Sequence, residues 1–187
     1  LTGRHALSPA VHDALRAVPR HKFVRPEDIA LAYKNRPLPI GHGQTISQPF
    51  IVALMSEFLD LPADAKTSAN LLEIGAGCGY QSAVLAELAH DVAAIEIVTD
   101  IARASKRRLK RLGYSNVSIR IGDGALGWPE RAPFDGIIVA AAAPKPPPAL
   151  IAQLKPGAKL VIPIGPVGEA QDLTVIGKTA RGKVTTE

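Results

Sequence analysis

Leu71-Leu72-Glu73-Ile74-Gly75-Ala76-Gly77-Cys78-Gly79-Tyr80 is the stretch whose reading decides the fold. A short apolar run gives way to three glycines in five residues, and a helical pattern follows over Tyr80–Ala89. Glycines let the backbone turn tightly and come close to a ligand, and a helix that starts there offers unpaired N–H groups. The unit reads as strand, glycine turn and helix. The dinucleotide fingerprint asks for Gly or Ala at the sixth position counted from Gly75, where this chain has Tyr80, so a nicotinamide cofactor is disfavoured.

Working outward, apolar runs alternate with helical patterns. Strands are expected at Leu71–Ile74, Val92–Ile97, Val117–Ile121, Asp135–Ala140 and Lys159–Ile164. Helices are expected at Tyr80–Ala89, Asp100–Leu112 with Gly113 at its end, and Pro148–Leu154. Repeated strand–helix–strand units imply an α/β fold, a doubly wound, mostly parallel sheet with helices on both faces. Such sheets bind ligands beyond the carboxyl ends of their strands. Upstream, Ser8-Pro9 opens a short helix that Pro19 closes, residues 20–48 read as irregular, and Pro49–Leu61 reads as helical. With 187 residues the chain is expected to be one domain: an N-terminal helical and loop region, 1–61, on a ligand-binding core, 62–187.

Composition narrows the class. The apolar share of 47% and charged share of 21% fit a globular protein with a real core. The longest apolar stretch after Gly136, Ile137–Ala143, is too short for the roughly 20 residues of a membrane helix. The single Cys78 has no disulfide partner and no metal-ligand cluster around it, which favours a reducing, cytoplasmic setting and no bound metal. Because the chain begins at Leu1, a targeting signal upstream stays open. The net charge of +5 could favour acidic partners. Arg103, Lys106, Arg107, Arg108, Lys110 and Arg111, however, share a segment whose Ile101, Ser105, Leu109 and Leu112 form the inward stripe, so they read as a solvated face. Eight aromatic residues are too few for base-stacking platforms, and nucleic acid is not expected as a partner.

Three acids close consecutive strands. Glu73 stands two residues before Gly75, Glu96 ends the second strand, and Asp123-Gly124 follows the third. A carboxylate at Glu73 would repel a pyrophosphate and attract a cation. An acid at Glu96 can accept from two ribose hydroxyls, and one at Asp123 from an adenine amino group. Ribose, adenine and a cationic amino-acid end together describe S-adenosylmethionine. Taken singly, each acid is equally a buried partner of a base or part of a turn.

On these residues the chain resembles the protein-L-isoaspartate (D-aspartate) O-methyltransferase family. The resemblance spans nearly the whole chain through Val18-Pro19-Arg20-His21-Lys22-Phe23-Val24, Gly43-Gln44-Thr45-Ile46-Ser47-Gln48-Pro49, the glycine loop, Gly122-Asp123-Gly124, Ala132-Pro133-Phe134-Asp135 and Gln153-Leu154-Lys155-Pro156-Gly157. It implies the class I S-adenosylmethionine-dependent methyltransferase fold. It also implies methylation of the free carboxylate of L-isoaspartyl residues in damaged proteins and peptides. Position by position, it implies that Glu73, Gly75, Gly77, Gly79, Glu96, Asp123 and Gly124 hold the cofactor. Thr45-Ile46-Ser47 would lie over the substrate, with the Ser47 hydroxyl at the reacting carboxylate. Ala76, Cys78 and Ala140 depart from the family, which commonly has hydroxyl residues there. The family's usual final strand, ending in a Phe-Val-Pro-Leu-like sequence, is missing before Glu187, so the core is expected to lack it.

Without the resemblance, Ser47 before Gln48-Pro49 and a helical pattern reads as an N-cap, which can coexist with a substrate role. The acceptor carboxylate is ionised at neutral pH, so no general base is needed and the protein's work is alignment and water exclusion. The 20–48 segment reads as a lid. Cys78 reads as a turn residue, and His21 and His42 carry no assigned role. A monomer is expected. Two rivals stand beside this reading: a nucleic-acid methyltransferase on the same fold, weakened by Ala140-Ala141-Ala142-Ala143-Pro144 where an Asp/Asn-Pro-Pro-aromatic stretch is usual, and a non-catalytic adenosyl-ligand binding module.

Overall fold

A computed structural model describes residues 7–166 and 170–186. Helix α1, Pro9–Ala17, starts as its sequence demands: the Ser8 hydroxyl accepts from the Val11 N–H, Pro9 fills the first turn, and Val11 and Ala14 are buried. The segment that follows is ordered into two 3-10 turns, Arg20–Lys22 and Pro26–Leu31, and a hairpin of β1, Leu38–Gly41, and β2, Gln44–Ile46. This corrects the irregular segment expected at 20–48. The hairpin turn runs through His42 and Gly43, both with positive φ, the conformation that a two-residue turn needs to match strand twist. Strands this short, one holding Pro39, leave no alternation for a sequence reading to detect.

Helix α2 spans Pro49–Phe58 and the single-turn α3 spans Ala65–Ser68. The alternating core follows: β3 Asn70–Ile74, α4 Tyr80–Leu88, β4 Asp91–Glu96, α5 Thr99–Arg111, β5 Val117–Ile121, β6 Phe134–Val139, α6 Pro148–Gln153 and β7 Leu154–Ile164. The five expected strands are all present within a residue or two, except that β7 begins five residues early. Two antiparallel strands that the sequence reading did not foresee, β8 Asp172–Lys178 and β9 Val184–Thr186, extend the sheet.

The sheet order is β5-β4-β3-β6-β7-β8-β9, with β3 to β7 parallel. The winding reverses at β3, so the crevice that doubly wound sheets use opens at the end of that strand. Period-2 alternation sorts the buried side chains. Leu72, Ile74, Ala93, Ile95, Ile137 and Val139 pack with Leu150 of α6 on one face. Leu71, Val92, Ile138 and Val161 pack with Met55 of α2 and Leu85 of α4 on the other. On α5 the inward stripe is Ile101, Ala102, Ser105 and Leu109, as its spacing requires. Arg108 departs from the solvated face, donating from Nη1 to the Cys78 carbonyl at 2.8 Å. Among the described residues no helix is long and apolar enough to cross a membrane, and no group of three or more His, Cys, Asp or Glu is placed to hold a metal ion.

Candidate active site

The loops after β3, β4, β5 and β6 enclose a cleft of about 300 Å³, lined by Gly75, Gly77, Glu96, Ile97, Asp123, Gly124 and the Ala140–Ala143 run, with Gln44 and Thr45 of β2 on its rim. A second chamber of about 40 Å³ adjoins it, between the glycine loop and the start of α2, lined by Thr45, Ile46, Ser47, Glu73, Cys78, Tyr80 and Gln81. Thr45, Gly75, Gly77 and Ala140 line both spaces. A larger hollow of about 650 Å³ beside α1 and α2 shares no residue with either and lies away from the strand ends.

The glycine loop is tied down through its own amides. Gly75 and Ala76 donate to the Ile95 carbonyl at 2.8 and 3.1 Å, Gly77 to Glu96 Oε2 at 2.8 Å, and Gly79 to the Ala76 carbonyl at 2.8 Å. Amides spent in this way cannot cradle a phosphate. Gly75 is required by conformation, with φ of +84°. Gly124 is required by packing: a Cβ there would lie 2.2 Å from Ile74 Cγ2. That gives Gly124 a reason independent of any ligand.

Glu96, 6% exposed, accepts at Oε1 from the Val98 N–H at 2.9 Å as well as at Oε2 from Gly77. Each oxygen keeps a second lone pair, and the carboxylate fronts the cleft, so it can accept two further hydroxyls. Asp123 caps the 3-10 turn Gly124–Leu126 by accepting at Oδ1 from the Ala125 N–H at 2.9 Å, while remaining exposed on the cleft. The turn reading of Asp123 is met at Oδ1, and Oδ2 makes no hydrogen bond among the described residues.

Glu73 is fully buried on the α4 side of β3. The Ser82 hydroxyl donates to its Oε2, and Oε1 has no partner among the described residues. Burial pushes its pKa up to about 8, against the downward pull of Ser82, with Glu96 adding to the rise. This amends the expectation of a standing carboxylate. Burial without a counter-ion among the described residues holds Glu73 mainly protonated at neutral pH, because a lone buried anion costs more than a neutral acid.

Ser47 lies at the small chamber, but it is not the N-cap of α2. That position belongs to Gln48, and no side chain caps the helix. The expected capping role is therefore corrected: the chain turns into the helix one residue later, at the extended Gln48 before Pro49, leaving the Ser47 hydroxyl uncommitted. Cys78 is buried with its thiol pushed up to about 11, which fits the turn reading. His21 bonds the Tyr33 hydroxyl at 2.7 Å, and neither the cleft nor the chamber is lined by a His, Lys or Arg. Two lining residues escaped the sequence reading. Ile97, 69% exposed over the cleft, offers an apolar surface to a flat ring, and its signal was an isoleucine directly after a strand-end acid. Gln81, whose amide donates to Ser56 Oγ at 3.0 Å, walls the chamber and left no sequence signal.

This doubly wound sheet with its strand-end cleft is the fold of class I methyltransferases, shared with the solved structures below. The sequence profile of the protein-L-isoaspartate(D-aspartate) O-methyltransferase family matches residues 2–187, and the chain belongs to that family. Protein-L-isoaspartate O-methyltransferase 2 of Syntrophobacter fumaroxidans is 50% identical over 184 residues, 98% of this chain and 73% of that protein. A solved protein-L-isoaspartate O-methyltransferase superposes with a TM-score of 0.83 at 29% identity, over 92% of this chain and 56% of its own, so this chain spans a little more than half of its length. A beta-aspartate methyltransferase from Plasmodium falciparum, solved with S-adenosyl-L-homocysteine, superposes with a TM-score of 0.81 at 25% identity, over 96% of this chain and 86% of its own.

Proposed function

We propose that the chain is a protein repair enzyme that moves a methyl group from S-adenosylmethionine to the free carboxylate of L-isoaspartyl residues in damaged proteins and peptides. The observation that carries this reading is the pair of joined spaces: a cleft sized for a nucleoside meets a carboxylate-sized chamber across Thr45, Gly75, Gly77 and Ala140. The residues fit the cofactor. The unpartnered Glu73 Oε1 suits an ammonium, Glu96 suits ribose hydroxyls, and Ile97 with Asp123 suits adenine. Gly75, Gly77 and Gly79 shape the loop against it, and Gly124 keeps the cleft floor low. The bound cofactor supplies a methyl group on a cationic sulfur with a neutral leaving group.

The chain's own residues do the rest. Thr45 and Ile46 close over the acceptor, and the Ser47 hydroxyl donates to one carboxylate oxygen, leaving the other to attack. Alignment of this kind is worth about 7–11 kcal/mol, and the confined chamber strips water from the acceptor. No residue removes a proton, since the acceptor arrives ionised. Both spaces are built within one chain, which supports a monomer in which residues 1–61 and 62–187 act as one domain. The buried single cysteine is in keeping with a cytoplasmic setting. The alanine run along the cleft gives no amide or carboxylate for a nucleic-acid base, which disfavours that rival. Labelled methyl transfer to an isoaspartyl peptide beside its aspartyl twin tests the reading. Selective labelling of the isoaspartyl peptide is expected, and binding of cofactor with no transfer to it would leave only a binding module.

A further inference from the structure

Arg20 is 1% exposed, and no carboxylate pairs with it among the described residues. Its Nε donates to the Ala32 carbonyl at 2.7 Å; Nη1 and Nη2 make no hydrogen bond of ordinary geometry among the described residues, and the polar side chain that supports the charge is the neutral Tyr80 phenol, not an anion. A buried guanidinium keeps its charge, and a buried charge without a counter-ion is costly, so its retention calls for a reason outside stability. Its neighbours supply one. The guanidinium carbon lies 4.8 Å from the centre of the Tyr80 ring, and its charge also reaches the Cys78 thiol. Tyr80 and Cys78 are both walls of the small chamber. Arg108 approaches the same wall, through its bond to the Cys78 carbonyl.

We propose that Arg20 is a positioning residue for the methyl acceptor: acting through the Tyr80 ring and the Cys78 wall, with Arg108 behind it, its buried charge makes the small chamber select a carboxylate over a neutral group of the same shape. The ring is held in place by the cation on its face and by Phe23 edge-on at 5.5 Å. The counter-charge that Arg20 lacks is the substrate. Among the described residues Glu73 is the one acid lining the chamber, where burial raises its pKa and its Oε1 faces the cofactor's ammonium in the proposed complex, while Glu96 stands on the cleft side of the glycine loop, tied to the Gly77 and Val98 amides. A cation inside the low-dielectric interior acts over a longer range than one in water, so direct contact is not needed.

This inference rests on the acceptor reading above, and the experiment separates the two. Loaded with S-adenosylhomocysteine, so that no methyl can move, the protein is titrated with an isoaspartyl peptide and with its isoasparagine twin, in which an amide replaces the carboxylate. The parent should bind the carboxylate more tightly, and a parent with no preference would sink the acceptor reading itself. In Arg20→Met the preference should shrink by about tenfold, the change that about 1.4 kcal/mol gives, with S-adenosylhomocysteine affinity held within about twofold. Arg20→Lys, which keeps the charge, should restore most of the preference. Loosened packing would weaken both peptides alike and leave their ratio unmoved. Should Arg20→Met fail to fold, Arg108→Met should shift the ratio in the same direction by a smaller factor. A folded variant that keeps the parent's ratio overturns the proposal.

Discussion

The Ser82 hydroxyl, in the first turn of α4, donates to the Glu73 carboxyl, one residue before the end of β3, in the interior of the molecule, and this is the only hydrogen bond the Glu73 side chain makes among the described residues. The acid's folded pKa of about 8 lies above its ordinary 4.5, so the folded chain binds the proton more tightly than the unfolded chain. The stability that comes with the neutral acid is complete below the ordinary value and drains away as pH rises toward the folded one. Melting temperature should therefore fall more steeply between about pH 5 and pH 9 in the parent than in Glu73→Gln, which is neutral throughout. Parallel curves in thermal melts would show that Glu73 does not titrate in this window.

Glu96→Ala removes the acceptor for the Gly77 and Val98 amides, and with it the acceptor proposed for the ribose hydroxyls. Hydrogen bonds to a charged group are worth about 1.5–3 kcal/mol, so cofactor affinity should drop by about tenfold or more. Calorimetry on the folded variant checks it, and an unchanged dissociation constant would take Glu96 out of the site.

Because Ser47 caps nothing, Ser47→Ala should cost less than the roughly 0.5–2 kcal/mol of a lost cap. Methyl transfer to the isoaspartyl peptide should nonetheless fall, with cofactor binding intact, under the proposed role of the hydroxyl at the reacting carboxylate. A rate equal to the parent's would leave the acceptor held by the remaining chamber walls.

Gly124→Ala drives a methyl group into Ile74. Overpacking of this kind costs about 1–3 kcal/mol, and because the shift falls on the cleft floor, cofactor affinity should fall along with the melting point. A stable variant with full affinity would mean that Ile74 rotates away.

The sheet and its strand ends were legible because β3, β4 and β6 are buried on both faces and read as mainly apolar runs, with Glu96 and Asp123 marking where two of the strands stop. The hairpin carrying Thr45 was not legible, since strands of three and four residues around a two-residue turn carry no period. Ser47 was misread because a hydroxyl one residue early looks like a cap in one dimension, whereas the backbone turn at Gln48 is fixed in three. The protonation of Glu73 and the isolation of Arg20 depend on which neighbours fold around them, information that no local window holds.

The wall that the cleft and the chamber share has a stereochemical consequence. Thr45, Gly75, Gly77 and Ala140 face both spaces, so in the proposed reading donor and acceptor would meet directly across that wall. The buried Cys78 thiol, held protonated, cannot serve as a relay for the methyl group. Under the proposed reaction the methyl carbon is displaced once, from sulfur straight to oxygen, and a single displacement turns it inside out. A methyl group made chiral with hydrogen, deuterium and tritium should leave the site with its handedness reversed.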